Sequence, residues 1–307
     1  MKRLILIISI LVALLQMALS QEEGYYRHYL LSPVLVNPAY TGFEDEHHLI
    51  FNYNNQWSNF PGAPNTVTGS YNGPVSEQIG LGIMLSSDNA ASLTRNRTSL
   101  SYAFKFILNE LDLSLGLSTT FEQTRLKGTA LLQPGINIGD PVLADATGGV
   151  KLFDAAFGAH AKYEEFFFGI AAPNLIRARV NKDPLVDAES TGLFESFLAY
   201  MGYKWQVEDN NFFVEPSIMV KNLRDSPFQV DFNGKIHFFE DQLIGGLTYT
   251  LGGGNRFAIL LGTELTNFDL FYSYTTSFQQ SQAYHSGGHE VSIRFRFGER
   301  KKKLDDE

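Results

Sequence analysis

Residues Glu290 to Phe297, Glu-Val-Ser-Ile-Arg-Phe-Arg-Phe, alternate between polar and apolar side chains without a break. Successive side chains of a β-strand point to opposite faces, so this segment has one apolar face and one polar face. The same alternation recurs from residue 47 onward, for example over 111–118 and 228–238. The sequence therefore predicts an all-β protein.

Two all-β architectures use this alternation. A soluble sandwich buries the apolar face, whereas a membrane barrel presents it to lipid and keeps the polar face in the lumen. Globular strands average about 5–6 residues, whereas membrane-spanning strands need roughly 9–11. The segments here are long and about fourteen in number, which favours a transmembrane antiparallel β-barrel. They are 47–57, 66–73, 78–87, 96–107, 111–124, 152–163, 165–172, 193–206, 211–221, 227–238, 242–252, 255–264, 268–278 and 288–297.

The lengths of the connections support the barrel. Every second connection is short, as expected of periplasmic turns, and the alternate set contains the long, extracellular loops. The predicted long loops are 58–65, 88–95, 125–151, 173–192 and 279–287. Aromatic side chains are expected at the periplasmic lipid interface, where rings with one wet and one apolar end are favoured. These are Tyr163, Phe166, Tyr203, Trp205, Phe238, Phe268 and Phe297. Glycines within strands, such as Gly116 and Gly158, are interpreted as bends that barrel closure requires.

Residues 1–20 predict a cleaved signal peptide. Lys2 and Arg3 precede a short apolar run, and the small residues before Gln21 fit cleavage between Ser20 and Gln21. The alternative is an uncleaved membrane anchor. A signal peptide with a barrel predicts the outer membrane of a Gram-negative bacterium as the location.

The rest of the chain divides into three parts. Residues 21–46 are Tyr-rich and carry Pro33 and Pro38, which argue against a helix, so we expect an ordered periplasmic or plugging segment. Residues 47–298 form the predicted barrel, and residues 299–307 form a charged periplasmic tail.

Composition excludes several functions. The 307 residues carry a formal net charge of −9, which excludes a nucleic-acid binder driven by phosphate neutralisation. The chain has no cysteine, so it has no disulfide scaffold and no thiolate metal site. Neither a phosphate loop nor a dinucleotide motif is present, and we predict no cofactor and no metal. His285 and His289 are four residues apart, a spacing that on a helix would suit a zinc site. The glycines between them indicate a loop, where this spacing does not place the two rings on one side.

The predicted lumen carries charges of both signs. Either they line an ion or solute path, or they form a salt-bridge network that packs residues 21–46 or the 125–151 loop; mixed charge favours the network. A Ser–His–acid site from Ser114 or Ser217 with His237 and Asp231 is conceivable, but we predict no catalytic residues. The charged residues whose position in the alternation places them on the lumen face are Lys105, Glu122, Lys162, Lys204, Glu215, Lys221, Asp231, Lys235, Arg256, Glu264, Glu290, Arg294 and Arg296.

An ordered set of short motifs spans the mature chain, and the set resembles the PorP/SprF-type outer-membrane proteins of the type IX secretion system. Thr41 is the one departure from the family pattern, because in that pattern a second small residue is as common at this position. The motifs are Tyr29–Pro33 followed by Asn37–Gly42, Asn55–Trp57, Gly62–Thr66, Ser70-x-Asn72-x-Pro74, Gly80–Gly82, Gly139–Leu143, Gly169-Ile170 leading to Asn174-Leu175, and Gly288–Phe295.

The resemblance implies a non-enzymatic outer-membrane component of the secretion or gliding machinery that helps export or surface-anchor a large secreted protein. It implies outer-membrane lipid, a secreted cargo or adhesin, and periplasmic secretion-system or peptidoglycan-binding proteins as partners, and no nucleic acid. A passive porin-like solute channel is the alternative. The candidate partner-binding residues are Asn37, Pro38, Tyr40, Gly42, Asn55, Gln56, Trp57, Asp140, Pro141, Arg177 and Arg179. For Pro38, Gly42 and Trp57 the alternative is structural: the first two shape a turn and Trp57 anchors the first strand at the outer interface.

Overall fold

In a computed structural model, the chain forms one closed antiparallel sheet. The structure describes residues 27–128, 147, 149–176, 178–180, 196–207, 212–223, 226–239 and 241–298. The strands are β1 (His47–Asn55), β2 (Asn65–Pro74), β3 (Ile79–Ala90), β4 (Leu93–Leu108), β5 (Leu111–Leu126), β6 (Val150–Tyr163), β7 (Phe166–Ala172), β8 (Ala178–Arg179), β9 (Phe197–Tyr203), β10 (Trp205–Gln206), β11 (Phe212–Asn222), β12 (Gln229–Phe238), β13 (Leu243–Leu251), β14 (Arg256–Glu264), β15 (Phe268–Ser277) and β16 (Gly288–Phe297).

Fourteen of these strands close into a barrel. Each pairs with its neighbours in sequence, β9 pairs with both β7 and β11, and β1 closes the ring by pairing with β16 from His47↔Phe297 to Asn55↔His289. The two-residue strands β8 and β10 add short pairings to β6 and β11. The predicted fourteen-stranded antiparallel β-barrel is therefore confirmed.

One predicted loop is wrong. Strands β3 and β4 run to Ala90 and from Leu93, so only Ala91 and Ser92 form the turn where a long loop over 88–95 was expected. The polar residues of this stretch belong to strands that continue the barrel wall, which periodicity in a polar sequence does not reveal. The other long connections lie at the same end of the barrel, which we call the outer end; the end with the short turns is the periplasmic end.

The outward face of the wall is apolar. Leu85, Leu117 and Leu261 are about half exposed, as are many other outward-facing aliphatic side chains. Aromatic residues at the periplasmic strand ends are also exposed, including Tyr163, Trp205 and Phe297. This surface suits contact with lipid, with aromatic rings near the interface. Among the residues that the structure describes, no helix has the length and hydrophobicity needed to cross a membrane.

Candidate functional site: the segment within the barrel

Residues 27–46, which we call the inner segment, lie within the barrel. Their turns are three short 3₁₀-helices, Arg27–Leu30, Pro33–Leu35 and Pro38–Tyr40. Proline opens the second and third, where its fixed φ favours the turn and its missing N–H costs nothing. The side chains of the segment contact inward-facing residues on strands from all sides of the ring, so the segment occupies the lumen.

Asn37 anchors the segment to the wall and is fully buried. Its side-chain oxygen accepts a hydrogen bond from the N–H of Ala39 at 3.0 Å, which caps the third 3₁₀-helix. Its amide nitrogen donates to the carbonyl of Ala159 on β6 at 3.0 Å and to the hydroxyl of Tyr200 on β9 at 3.2 Å. One side chain thus ties the turn to two strands of the barrel.

Glycines in the wall make room for the segment. A Cβ on Gly116 would lie 2.3 Å from the backbone nitrogen of Ala39, and one on Gly158 would lie 2.0 Å from the side-chain oxygen of Asn37. Close approach of the inner segment requires the missing side chain at both Gly116 and Gly158, a reason that their interpretation as bends for barrel closure did not include. At Gly245, by contrast, a Cβ would meet nothing within 4 Å.

The structure leaves no room for a side chain at Gly42. Its φ of +62° lies in the left-handed region, and a Cβ there would lie 2.7 Å from Cα of Gly80. Its N–H donates to the side chain of Asn72 at 3.4 Å.

Three cations of the wall bind carbonyl groups of the inner segment. Lys235 donates to Leu30 O at 2.7 Å, Arg294 to Leu31 O at 3.0 Å, and Lys105 to Phe43 O at 3.1 Å. Each cation is also paired with a carboxylate: Glu215, Asp269 and Asp45, respectively, at 2.8, 2.5 and 2.7 Å. The lumen charges thus form a packing network around the segment, which is the arrangement that mixed charge favoured.

The lumen also contains apolar contacts, which the alternation pattern did not predict. Tyr29 packs with Ala171, Leu198, Tyr200 and Met219. On the other side of the segment, Leu31 packs with Ile244, Leu260 and Phe271. These apolar residues occupy inward-facing positions, which the alternation of their strands otherwise fills with polar residues. They are the signal by which the sequence could have indicated a filled lumen.

The pKa values of two polar side chains of the segment are shifted. Burial lowers the pKa of His28, and the nearby carboxylate of Glu290 opposes that shift only in part. The neutral ring lies 2.6 Å from the hydroxyl of Ser292 and 3.1 Å from that of Ser273. Burial, followed by the charge of Glu44, raises the pKa of Tyr40, whose hydroxyl donates to Glu44 at 2.6 Å.

The remaining candidate residues lie elsewhere. Asn55 ends β1 at the outer end, and Gln56 donates its N–H to Pro64 O at 2.9 Å. Trp57 has a φ of +53°, is 41% exposed, and contacts the ring of His285. Arg179 lies in β8 beside Leu152. The structure therefore separates the candidates into a lumen group and an outer group.

Part of the candidate partner-binding set is buried in the lumen. Asn37, Pro38 and Gly42 are buried against the wall and cannot contact another protein while the segment is in place. Their structural interpretation fits the geometry instead. Asp140, Pro141, Arg177 and the cleavage pair Ser20 and Gln21 lie outside the described residues.

The conceivable catalytic site is not assembled. His237 and Asp231 are six residues apart on β12, about 20 Å along a strand, so they cannot form one triad. Asp231 accepts hydrogen bonds from Lys221, Thr250 and Tyr29 instead. Within the described part of the chain, no group of three potential ligands for a metal ion comes together.

Comparison with known proteins agrees with this architecture. The family described as "Type IX secretion system membrane protein PorP/SprF" matches residues 18–295. No curated protein matches the chain.

Among solved structures, the CymD monoaromatic hydrocarbon channel is 11% identical, with a TM-score of 0.53, over 92% of this chain and 96% of that one. This likeness concerns the fold alone. A Pseudomonas aeruginosa FadL homologue is 12% identical over 85% of this chain and 93% of that one, with a TM-score of 0.48. The Acinetobacter baumannii outer membrane protein Omp33 is 10% identical over 83% and 100%, with a TM-score of 0.47.

Proposed function

Because the chain belongs to the PorP/SprF family of type IX secretion system membrane proteins, we propose that it is a non-enzymatic component of that system in the outer membrane. In this role it helps to export a large secreted protein or holds that protein at the cell surface. The barrel supplies the membrane attachment, and its two ends bind protein.

The packed inner segment is the observation that supports an anchor over a passive solute channel. It contacts the wall through the Asn37 hydrogen bonds, the three wall cations and two apolar clusters. A solute would have to displace these contacts to pass. We therefore propose that residues 21–46 act as a plug that closes the barrel in its resting state.

The outer group of candidate residues is proposed to contact the secreted partner. The β1–β2 loop is ordered against the β15–β16 loop, because Ser58 N–H donates to Gly287 O at 2.7 Å and Ser286 N–H donates to Ser58 O at 2.8 Å. Trp57 lies exposed on the surface that these two loops form. Its positive φ is a backbone conformation that L-residues rarely adopt. At the opposite end, periplasmic secretion-system or peptidoglycan-binding proteins are the proposed partners.

A passive solute channel is the second candidate, favoured by the fold shared with a hydrocarbon channel. The two functions differ in what the closed lumen permits. The anchor conducts no ions until its plug is displaced, whereas a channel conducts in its resting state.

Affinity purification from outer membranes in mild detergent tests the anchor. Mass spectrometry is expected to identify a large secreted protein or periplasmic secretion proteins, and the variant Trp57→Ala is expected to retain less of the secreted protein. Phe232→Ala, which also removes an exposed aromatic ring but from the middle of the lipid-facing wall, is the matched control. A barrel that purifies alone and conducts steadily in planar bilayers would establish the channel instead.

A further inference from the structure

Several neighbouring connections at the outer end of the barrel carry no formal charge. They join β1 to β2, β3 to β4, β13 to β14, and β15 to β16. None of them contains Asp, Glu, Lys or Arg, although 19% of the chain is charged, and the periplasmic turns carry acidic residues such as Glu110, Glu164 and Asp241. The uncharged stretches are 55–65, 89–94, 251–255 and 275–289.

These connections form one continuous surface, which we call the neutral surface. Backbone hydrogen bonds through Ser58 join the β1–β2 loop to the β15–β16 loop. The N–H of Ala91, in the β3–β4 turn, donates to Gly62 O at 2.9 Å, and the N–H of Phe278 donates to Asn255 O, in the β13–β14 turn, at 3.0 Å. The neutral surface therefore extends over consecutive strands of the ring, from β13 through β16 and on to β4.

Aromatic rings are exposed on the neutral surface. Trp57 is 41%, Phe60 45% and Tyr284 76% exposed. The Trp57 ring meets that of Phe60 edge-on at 6.4 Å between centroids and lies 6.2 Å from that of His285. Trp57 and Asn59 both have a left-handed φ, +53° and +67°, and such strained backbone is concentrated at binding sites. The loop thus presents the Trp57 ring at a conformational cost.

Uncharged polar groups lie beside the rings. Asn59 and Ser286 are both exposed, and the amide nitrogen of Asn59 donates to the Ser286 hydroxyl at 2.8 Å. The amide oxygen of Asn59 and the hydroxyl hydrogen of Ser286 can still bond a ligand. His285 adds no charge at neutral pH, because burial lowers its pKa and its Nδ1 accepts from the N–H of Gly287 at 3.1 Å.

This chemistry favours a neutral ligand that is rich in hydroxyl groups. A phosphorylated lipid is bound through cations, and protein partners usually bring complementary charges to the rim of an interface. A sugar ring has an apolar C–H face that can pack on an aromatic ring. Its hydroxyl groups both donate and accept hydrogen bonds, as the amides and hydroxyls of the neutral surface do.

We propose that the neutral surface binds a neutral carbohydrate chain, with a sugar ring packed on Trp57 and its hydroxyl groups bonded to Asn59 and Ser286. The source of the chain is a glycan on the secreted partner or a free polysaccharide of the cell surface, and the recognition chemistry is the same for both. Carbohydrate binding goes beyond the proposed role in secretion and is tested on the purified barrel alone.

Binding of the full-length barrel to immobilised oligosaccharides tests the proposal. The barrel is purified in a detergent without a sugar headgroup, and the probes are neutral hexasaccharides of glucose, mannose and galactose together with sulfated forms of the same chains. At least one neutral chain is expected to bind, and more tightly than its sulfated form. Its affinity should be the same at about 50 and about 500 mM salt, because screening does not weaken contacts with a neutral ligand.

Variants of Trp57 make the result specific to the neutral surface. Trp57→Ala is expected to weaken binding about tenfold, because the ring supplies both buried apolar area and stacking. Trp57→Phe keeps an aromatic face and should retain most of the affinity, which separates lost stacking from a misfolded loop. Phe232→Ala, in the lipid-facing wall, is the matched control and should bind as the wild type does. The proposal is overturned if no neutral chain binds, if high salt abolishes binding, or if folded Trp57→Ala binds as tightly as the wild type.

Periodate oxidation of the outer membranes, which cleaves vicinal diols of sugars, distinguishes the two sources. If oxidation releases the secreted protein from the affinity-purified barrel, the glycan belongs to that protein. If the secreted protein stays bound while neutral chains still bind the purified barrel, the ligand is a free polysaccharide. A barrel that binds neutral chains but co-purifies with no secreted protein would refute the proposed contact with a secreted partner and support carbohydrate binding.

Discussion

Replacing Gly116 with alanine is expected to push the inner segment off the wall. The new Cβ would lie 2.3 Å from the Ala39 nitrogen, which is about 1.1 Å closer than the 3.4 Å at which ordinary contact begins. The obstacle is backbone that Asn37 caps and ties to β6, so it cannot rotate away as a side chain would. Overpacking of this kind typically costs 1–3 kcal/mol.

A cost of about 2 kcal/mol raises the fraction of barrels with a displaced segment about 30-fold, since each 1.4 kcal/mol is a factor of ten. Single-channel recording in planar bilayers measures this fraction as open time. Gly245→Ala is the matched control, because its Cβ meets nothing within 4 Å. If Gly116→Ala folds, migrates as a heat-modifiable barrel and shows the same open time as the wild type, the reasoning that the segment packs on Gly116 is refuted.

Three further predictions concern the contacts of the inner segment. Asn37→Asp keeps the oxygen that caps the 3₁₀-helix but loses the amide donor to Ala159 O and to the Tyr200 hydroxyl, and the carbonyl of Ala159 has no other way to bond to a carboxylate. Thermal melting should therefore show a loss of about 1–3 kcal/mol, and an unchanged melting curve would show that Asn37 does not tie the segment to the wall. His28 has a pKa below its ordinary 6.5 when buried, so the displaced segment takes up a proton first as the pH falls below 6.5. Open time should therefore rise between pH 7.5 and 5.5 in the wild type and rise less in His28→Gln; equal slopes would exclude His28 as the cause. Lys221→Met leaves the fully buried Asp231 without its 2.8 Å ion pair and should cost about 3–5 kcal/mol in chemical unfolding, whereas Lys221→Met combined with Asp231→Leu should recover most of it. A double variant no more stable than the single one would show that the pair itself stabilises the barrel.

The strands of the wall were predictable because each carries its own signal. Alternation such as that of Glu290–Phe297 is a local property, and lipid on one side of a barrel imposes it along the whole strand. The prediction failed at 88–95, where polar residues continue β3 and β4 beyond the apolar band and no alternation marks them.

The fold class, the number of strands, the family and the side of the wall on which the charges lie could all be predicted from the sequence. The position of the inner segment and the roles of Asn37, Gly116 and Gly158 depend on tertiary contacts. Those contacts join residues 77 to 163 positions apart, and no local pattern encodes which wall residue a turn will meet. On its sequence alone the segment could have remained in the periplasm. Inside the closed barrel, the glycines leave room for its backbone and the inward-facing apolar residues pack against it.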